Sequence, residues 1–147
     1  MTKDVLITIK GMQYLGMEDD PEDPIEITTA GDYYFRNGSH FVKYEEVFEG
    51  FDGTTSNLVK IRPHSMEVMK KGAANVHMVF EPDKKNITYY DTPFGKIQMG
   101  IATTRIDVKE QEDRIRVKVE YSLDMNDNYV ADCNLDMDIL ARGQAGT

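Results

Sequence analysis

From Arg114 to Met125 apolar and polar side chains alternate without a break. Ile115, Val117, Val119, Tyr121, Leu123 and Met125 take the odd positions, and polar or charged residues take the even ones through Asp124. A period of two is that of a β-strand with one buried face. After Asn126-Asp127-Asn128, residue types that tolerate the left-handed dihedrals of a tight turn, the alternation resumes. Tyr129, Ala131, Cys133, Leu135, Met137 and Ile139 then share one face. A turn centred on Asp127 sets Lys118 against Asp136 and Arg116 against Asp138, so turn and charges agree on one register. A hairpin of this length cannot bury its apolar face alone, which predicts that it is one wall of a larger β-structure.

The preceding residues carry the same pattern in shorter pieces. A strand over 4–12 turns Val5, Ile7 and Ile9 inward, and a second covers 25–29. Asn37-Gly38 between β-rich runs predicts a type I′ hairpin turn, followed by a strand over 40–49. Two phases compete in that strand. The one that turns Val42, Tyr44, Glu46 and Phe48 inward leaves two charges outside for one inside, and it places Glu46 in the interior. A less clean stretch over 54–62 ends at Pro63, and 65–69 offers Met66 and Val68 to the core. Lys70-Lys71-Gly72-Ala73-Ala74 reads as a turn, and 75–80 returns with Val76, Met78 and Phe80 inward. A polar turn over 81–86 leads to a strand over 87–92 and a turn at Thr92-Pro93-Phe94-Gly95. Met99, Ile101 and Thr103 then face inward, but beyond Arg105 the apolar residues are Ile106 and Val108. That one-residue slip predicts a β-bulge at Thr103-Thr104-Arg105.

Ten or eleven short strands joined by tight turns, with no long crossover, make an antiparallel meander. Closure removes exposed edges, so the expected fold is all-β: a single, mostly up-and-down closed barrel over residues 1–141 with a disordered tail over 142–147. A β-sandwich is the alternative.

Charge narrows the partners. A net charge of −9 on 147 residues opposes nucleic acid and anionic membrane alike, since both present a like charge. One cysteine makes no internal disulfide, the first residues lack the apolar core of a signal peptide, and no apolar run reaches spanning length. The cytoplasm is the expected compartment.

Candidate chemistry is sparse. Glu18, Asp19, Asp20, Glu22 and Asp23 read as a solvated loop rather than a calcium site, because no liganding glycine turn accompanies them. Asp124, Asn126 and Asn128 begin like a calcium loop, but Tyr129 and Leu135 stand where glycine and glutamate are needed. None of His40, His64 and His77 has a second His or Cys at metal-ligand spacing, and Cys133 lies among apolar neighbours as a small hydrophobe. No phosphate-binding glycine motif or nucleophile elbow occurs. No cofactor, metal or catalytic residue is expected, and an enzyme is the least supported class.

What remains is the inward set Tyr44, Glu46, Met66, Met78, Tyr90, Met99, Thr103, Tyr121 and Cys133. These residues either fill the barrel or line an adaptable pocket for an apolar or amphipathic small molecule, with Glu46 as the orienting group. An interior carboxylate needs a counter-charge, for which Arg62 or Arg105 is the expected source. The candidate ligand-binding residues are therefore Tyr44, Glu46, Arg62, Met78, Tyr90, Met99, Thr103, Arg105 and Tyr121. The alternative is an interaction module that works through its outer surface as a homodimer, using Val79, Val130 and Tyr33-Tyr34.

The order and spacing of Glu26-Ile27-Thr28-Thr29-Ala30-Gly31, Tyr44-Glu45-Glu46, Lys60-Ile61, Met78-Val79-Phe80, Thr92-Pro93-Phe94-Gly95 with Thr103 downstream, and Val119-Glu120-Tyr121-Ser122-Leu123 resemble the YwiB-like family of bacterial proteins. The resemblance runs over nearly the whole chain. It implies a lipocalin-like, or calycin, β-barrel from a Gram-positive bacterium, and it brings no activity and no catalytic residues with it. Phe94 stands where such turns commonly carry tyrosine.

Overall fold

Among the described residues ten strands follow one another and no helix occurs: β1 (Asp4–Lys10), β2 (Glu26–Arg36), β3 (Ser39–Val47), β4 (Thr54–Arg62), β5 (Ser65–Gly72), β6 (Val76–Phe80), β7 (Lys84–Thr92), β8 (Gly95–Gln111), β9 (Arg114–Met125) and β10 (Asn128–Ala141). The structure, a computed structural model, describes residues 3–11, 26–47, 54–72, 75–92 and 95–142. Each strand pairs with its neighbour in sequence from β1 to β6 and from β7 to β10, and β1 pairs with β10. The result is an up-and-down antiparallel barrel, closed everywhere except along a seam between β6 and β7. At one end of the seam Asn75 and Asp91 exchange backbone hydrogen bonds of 3.0 and 2.9 Å. Along it the Asn86 side-chain amide donates to the Val79 carbonyl at 3.3 Å.

Turn chemistry sets this topology. Asn37 and Gly38 adopt φ of 52° and 78° between the paired residues Arg36 and Ser39, as a type I′ turn requires. Asn126 and Asp127, at φ of 50° and 66°, do the same between Met125 and Asn128. The two-residue turn offsets the β9–β10 ladder by one, and a bulge between Tyr129 and Ala131 restores the offset. Lys118 therefore does lie opposite Asp136 and Arg116 opposite Asp138. The bulge also corrects one expectation: Tyr129 does not continue the inward phase but is 64% exposed. The predicted bulge between Thr103 and Arg105 is present.

The second strand is longer than its apolar pattern suggests. β2 pairs with β1 as far as Asp32 and with β3 from Asp32 onward, so it forms a corner of the barrel. Gly31 sits at this corner, where a Cβ would lie 2.5 Å from Ile7 Cδ1 and 2.6 Å from the Lys43 carbonyl oxygen. β5 likewise runs to Gly72, so Lys70 belongs to the strand and not to the expected turn.

Val5, Ile7, Ile9, Val117, Val119 and Leu135 fill the interior from one side. Val42, Val59, Val68 and Met78 form a continuous cross-strand row on the other. Phe80 meets Tyr121 edge-on at 5.1 Å between ring centres and so joins β6 to β9 through the middle. The acidic stretch 16–24, Met12, Phe48, the Pro93-Phe94 turn and residues 143–147 lie outside the described residues.

Candidate functional site

Because the strands alternate in direction, the ends of β3, β5, β7 and β9 share one mouth with the starts of β4, β6, β8 and β10. Near this mouth the apolar interior gives way to a polar row. Tyr44 lies opposite Asn57, Asn57 opposite Lys70, and Lys70 opposite Val76. One step closer to the rim, Glu46 lies opposite Thr55 and Thr55 opposite Gly72. The competition of phases in β3 is thereby settled: Val42 and Tyr44 are buried, the Glu46 side chain is 18% exposed, and Glu45 points to solvent, where it accepts from Ser56.

Two groups close on one carboxylate and on each other. Lys70 Nζ donates to Glu46 Oε1 at 2.6 Å, the Asn57 amide donates to the same oxygen at 2.8 Å, and Lys70 Nζ also donates to Asn57 Oδ1 at 2.7 Å. The Lys70 side chain is only 4% exposed. Burial pushes its amine below the ordinary lysine value, and Glu46 opposes that shift. Burial, with Glu46 adding to it, holds the Tyr44 hydroxyl far above the ordinary tyrosine value and raises that of Tyr90. The Tyr44 hydroxyl and Thr103 Oγ1 are buried with no hydrogen-bond partner among the described residues.

The structure thus gathers Tyr44, Glu46 and Tyr90 at one mouth, with Met78 in the next row. Met99, Thr103 and Tyr121 are buried on the β8–β9 wall, where Thr103 pairs with Tyr121. The two arginines are corrected. Arg62 is exposed and reaches Ser39 Oγ at 3.4 Å, and Arg105, also exposed, pairs with Asp107 at 2.8 Å. Arg62 follows the inward Ile61 and so faces out, and Arg105 lies just past the bulge, where the strand has changed phase. The counter-charge of Glu46 is Lys70. Its signal was the parity of Met66 and Val68, which Lys70 continues, just as Thr55 and Asn57 continue the parity of Val59 and Ile61.

The opposite mouth holds a second polar chain that sequence spacing does not disclose. Tyr33 Oη lies 2.7 Å from His40 Nδ1, and His40 Nε2 hydrogen-bonds Glu110, which ties the β2–β3 hairpin to the end of β8. Burial and then Glu110 raise the Tyr33 hydroxyl above its ordinary value. Lys3, Asp32, Tyr34 and Phe35 complete an open groove beside it.

A nearly closed ten-stranded meander with a compensated charge pair inside one mouth defines the class: a small antiparallel β-barrel protein. Over residues 7–137 the chain matches the family described as a domain of unknown function (DUF1934), and it belongs to that family. It is similar to the uncharacterized beta-barrel protein YwiB of Bacillus subtilis (strain 168), with 26% identity over 110 residues that cover 75% of this chain and 76% of that protein. The crystal structure of the ywiB protein from Bacillus subtilis has the same architecture. Its TM-score is 0.78 at 22% sequence identity, covering 96% of this chain and 93% of that one. The likeness of fold agrees with the barrel and family read from the sequence.

Proposed function

We propose that this barrel holds a small amphipathic molecule at the mouth that carries Glu46 and Lys70, as a lipocalin-like binding protein of the cytoplasm. The observation that carries the proposal is the Tyr44 hydroxyl, buried beside a charged cluster and left without a partner among the described residues. A buried polar group in that state costs about 1–3 kcal/mol, and interiors nearly always satisfy it. A ligand group would supply what is missing. The facing wall suits an apolar body, since β8 begins and β9 ends at this mouth with Met99, Leu123 and Met125. The row of Val42, Val59, Val68 and Met78 fills the barrel beneath, which supports a site near the rim. Methionine side chains adapt readily to a guest. Titration with the neutral dye Nile red should give saturable binding at one dye per chain. An absence of saturable binding contradicts the proposal.

A second proposal, a homodimer formed through the outer surface, rests on the seam. Ile87 and Tyr89 on β7 are 50% and 61% exposed, and the antiparallel run from the Asn75–Asp91 bridge brings half-buried Val79 alongside them. Val130 and Tyr34 are exposed elsewhere, whereas Tyr33 is buried. Light scattering over a concentration series should show a dimer that Tyr89→Lys dissociates. A monomer throughout removes this reading.

A further inference from the structure

We infer that the molecule held at this mouth ends in an uncharged group that both donates and accepts hydrogen bonds, a hydroxyl or a carboxamide, and not in a carboxylate or an ammonium. The inference rests on the mouth being the binding site. The charges already present cancel: Lys70 and Glu46 touch at 2.6 Å, so an ion that reaches one of them stands beside the other. An added charge would remain uncompensated in a place where water is largely excluded. The cluster's own members already meet part of its hydrogen-bonding capacity. Glu46 Oε1 takes two donors, and Lys70 uses two of its three N–H groups on Glu46 and Asn57. The capacity left open among the described residues is one Lys70 N–H, the second Glu46 oxygen and the Tyr44 hydroxyl, which donates once and accepts, and a group that both donates and accepts matches that set. Burial and the neighbouring Glu46 keep that hydroxyl protonated. The net charge of −9 adds a further bias against anions.

The test is displacement of Nile red near neutral pH by decanol, decanoate and decylamine, which share a chain length and differ in head group, on the wild type and on Tyr44→Phe. Decanol should displace the dye at a concentration about tenfold below that of the two ions, because a site built around a hydrogen-bonding hydroxyl discriminates by head group. Tyr44→Phe should weaken decanol about five- to tenfold while the melting temperature of the free protein stays level or rises, since the variant removes an unsatisfied polar atom. A merely structural tyrosine would lower the melting temperature instead. Decanoate or decylamine acting as well as decanol, unchanged decanol affinity in Tyr44→Phe, or bound dye that none of the three displaces overturns the inference alone. Failure of the dye itself to bind overturns the mouth as a site, and the inference with it.

Discussion

At Glu46 one carboxylate oxygen serves both a lysine and an amide, and the lysine is almost fully enclosed. Removing the carboxylate charge leaves Lys70 buried without compensation, so Glu46→Gln should lower stability by about 2–4 kcal/mol in urea unfolding. Glu45→Gln, on the solvent side of the same strand, should cost under about 1 kcal/mol. Replacing both partners with apolar residues, as in the double variant Glu46→Leu, Lys70→Met, should restore most of the loss, because a buried pair contributes little net stability over a well-packed apolar substitute. Equal effects of the Glu45 and Glu46 substitutions would place the wrong face of β3 inside. The interior carboxylate was legible from the sequence because one phase of β3 is more apolar than the other. Its partner was not, because Lys70-Lys71-Gly72 has the composition of a turn and an inward lysine violates binary patterning. Parity with Met66 and Val68 was the correct signal, and composition concealed it.

Among the elements, the β9–β10 hairpin gives the sharpest test of register. Val119→Asp puts an unpaired carboxylate among Leu135, Val117 and their neighbours, at several kcal/mol against a total stability of about 5–15, and should unfold the chain. Lys118→Ser, on the opposite face, should leave the melting temperature nearly unchanged. On that outer face Arg114 grips Asp138 with two hydrogen bonds, Nε to Oδ1 at 2.9 Å and Nη2 to Oδ2 at 2.5 Å, while Arg116, directly opposite, stands at 3.9 Å. Arg114 holds the Asp138 carboxyl below its ordinary value of 3.8. The folded state therefore keeps Asp138 ionised to lower pH than the unfolded chain does. The stability from this pair is complete above the unfolded value and drains as pH falls through the folded one. Asp138→Asn should flatten that acid limb of a stability-against-pH curve and leave the slope near neutrality unchanged. An unaltered acid limb would mean the pair contributes nothing. The alternation of this hairpin was fully readable, and the misplacement of Tyr129 arose because a two-residue turn followed by a bulge gives the same long-range register as a three-residue turn without one.

For the whole molecule, the meander could be read because tight-turn residues separate the alternating runs and each strand then pairs with the next. The seam could not be read in the same way, since nothing in the composition of β6 or β7 marks them as the pair that lacks a continuous ladder among the described residues. The Tyr33–His40–Glu110 chain was equally hidden, because residues distant in sequence meet only after the barrel has closed. The polar mouth is a property of this closed shape, with the Glu46 cluster on the β3–β5 wall and methionines on the wall facing it. Methionine methyl NMR during titration with decanol tests that arrangement most directly. The methyl signals of Met78, Met99 and Met125 should shift with saturation, and that of Met66, beside the turn at the opposite mouth, should stay in place. Shifts at Met66 alone, or no saturable shift at any of the four, would contradict a ligand site at the Glu46–Lys70 mouth.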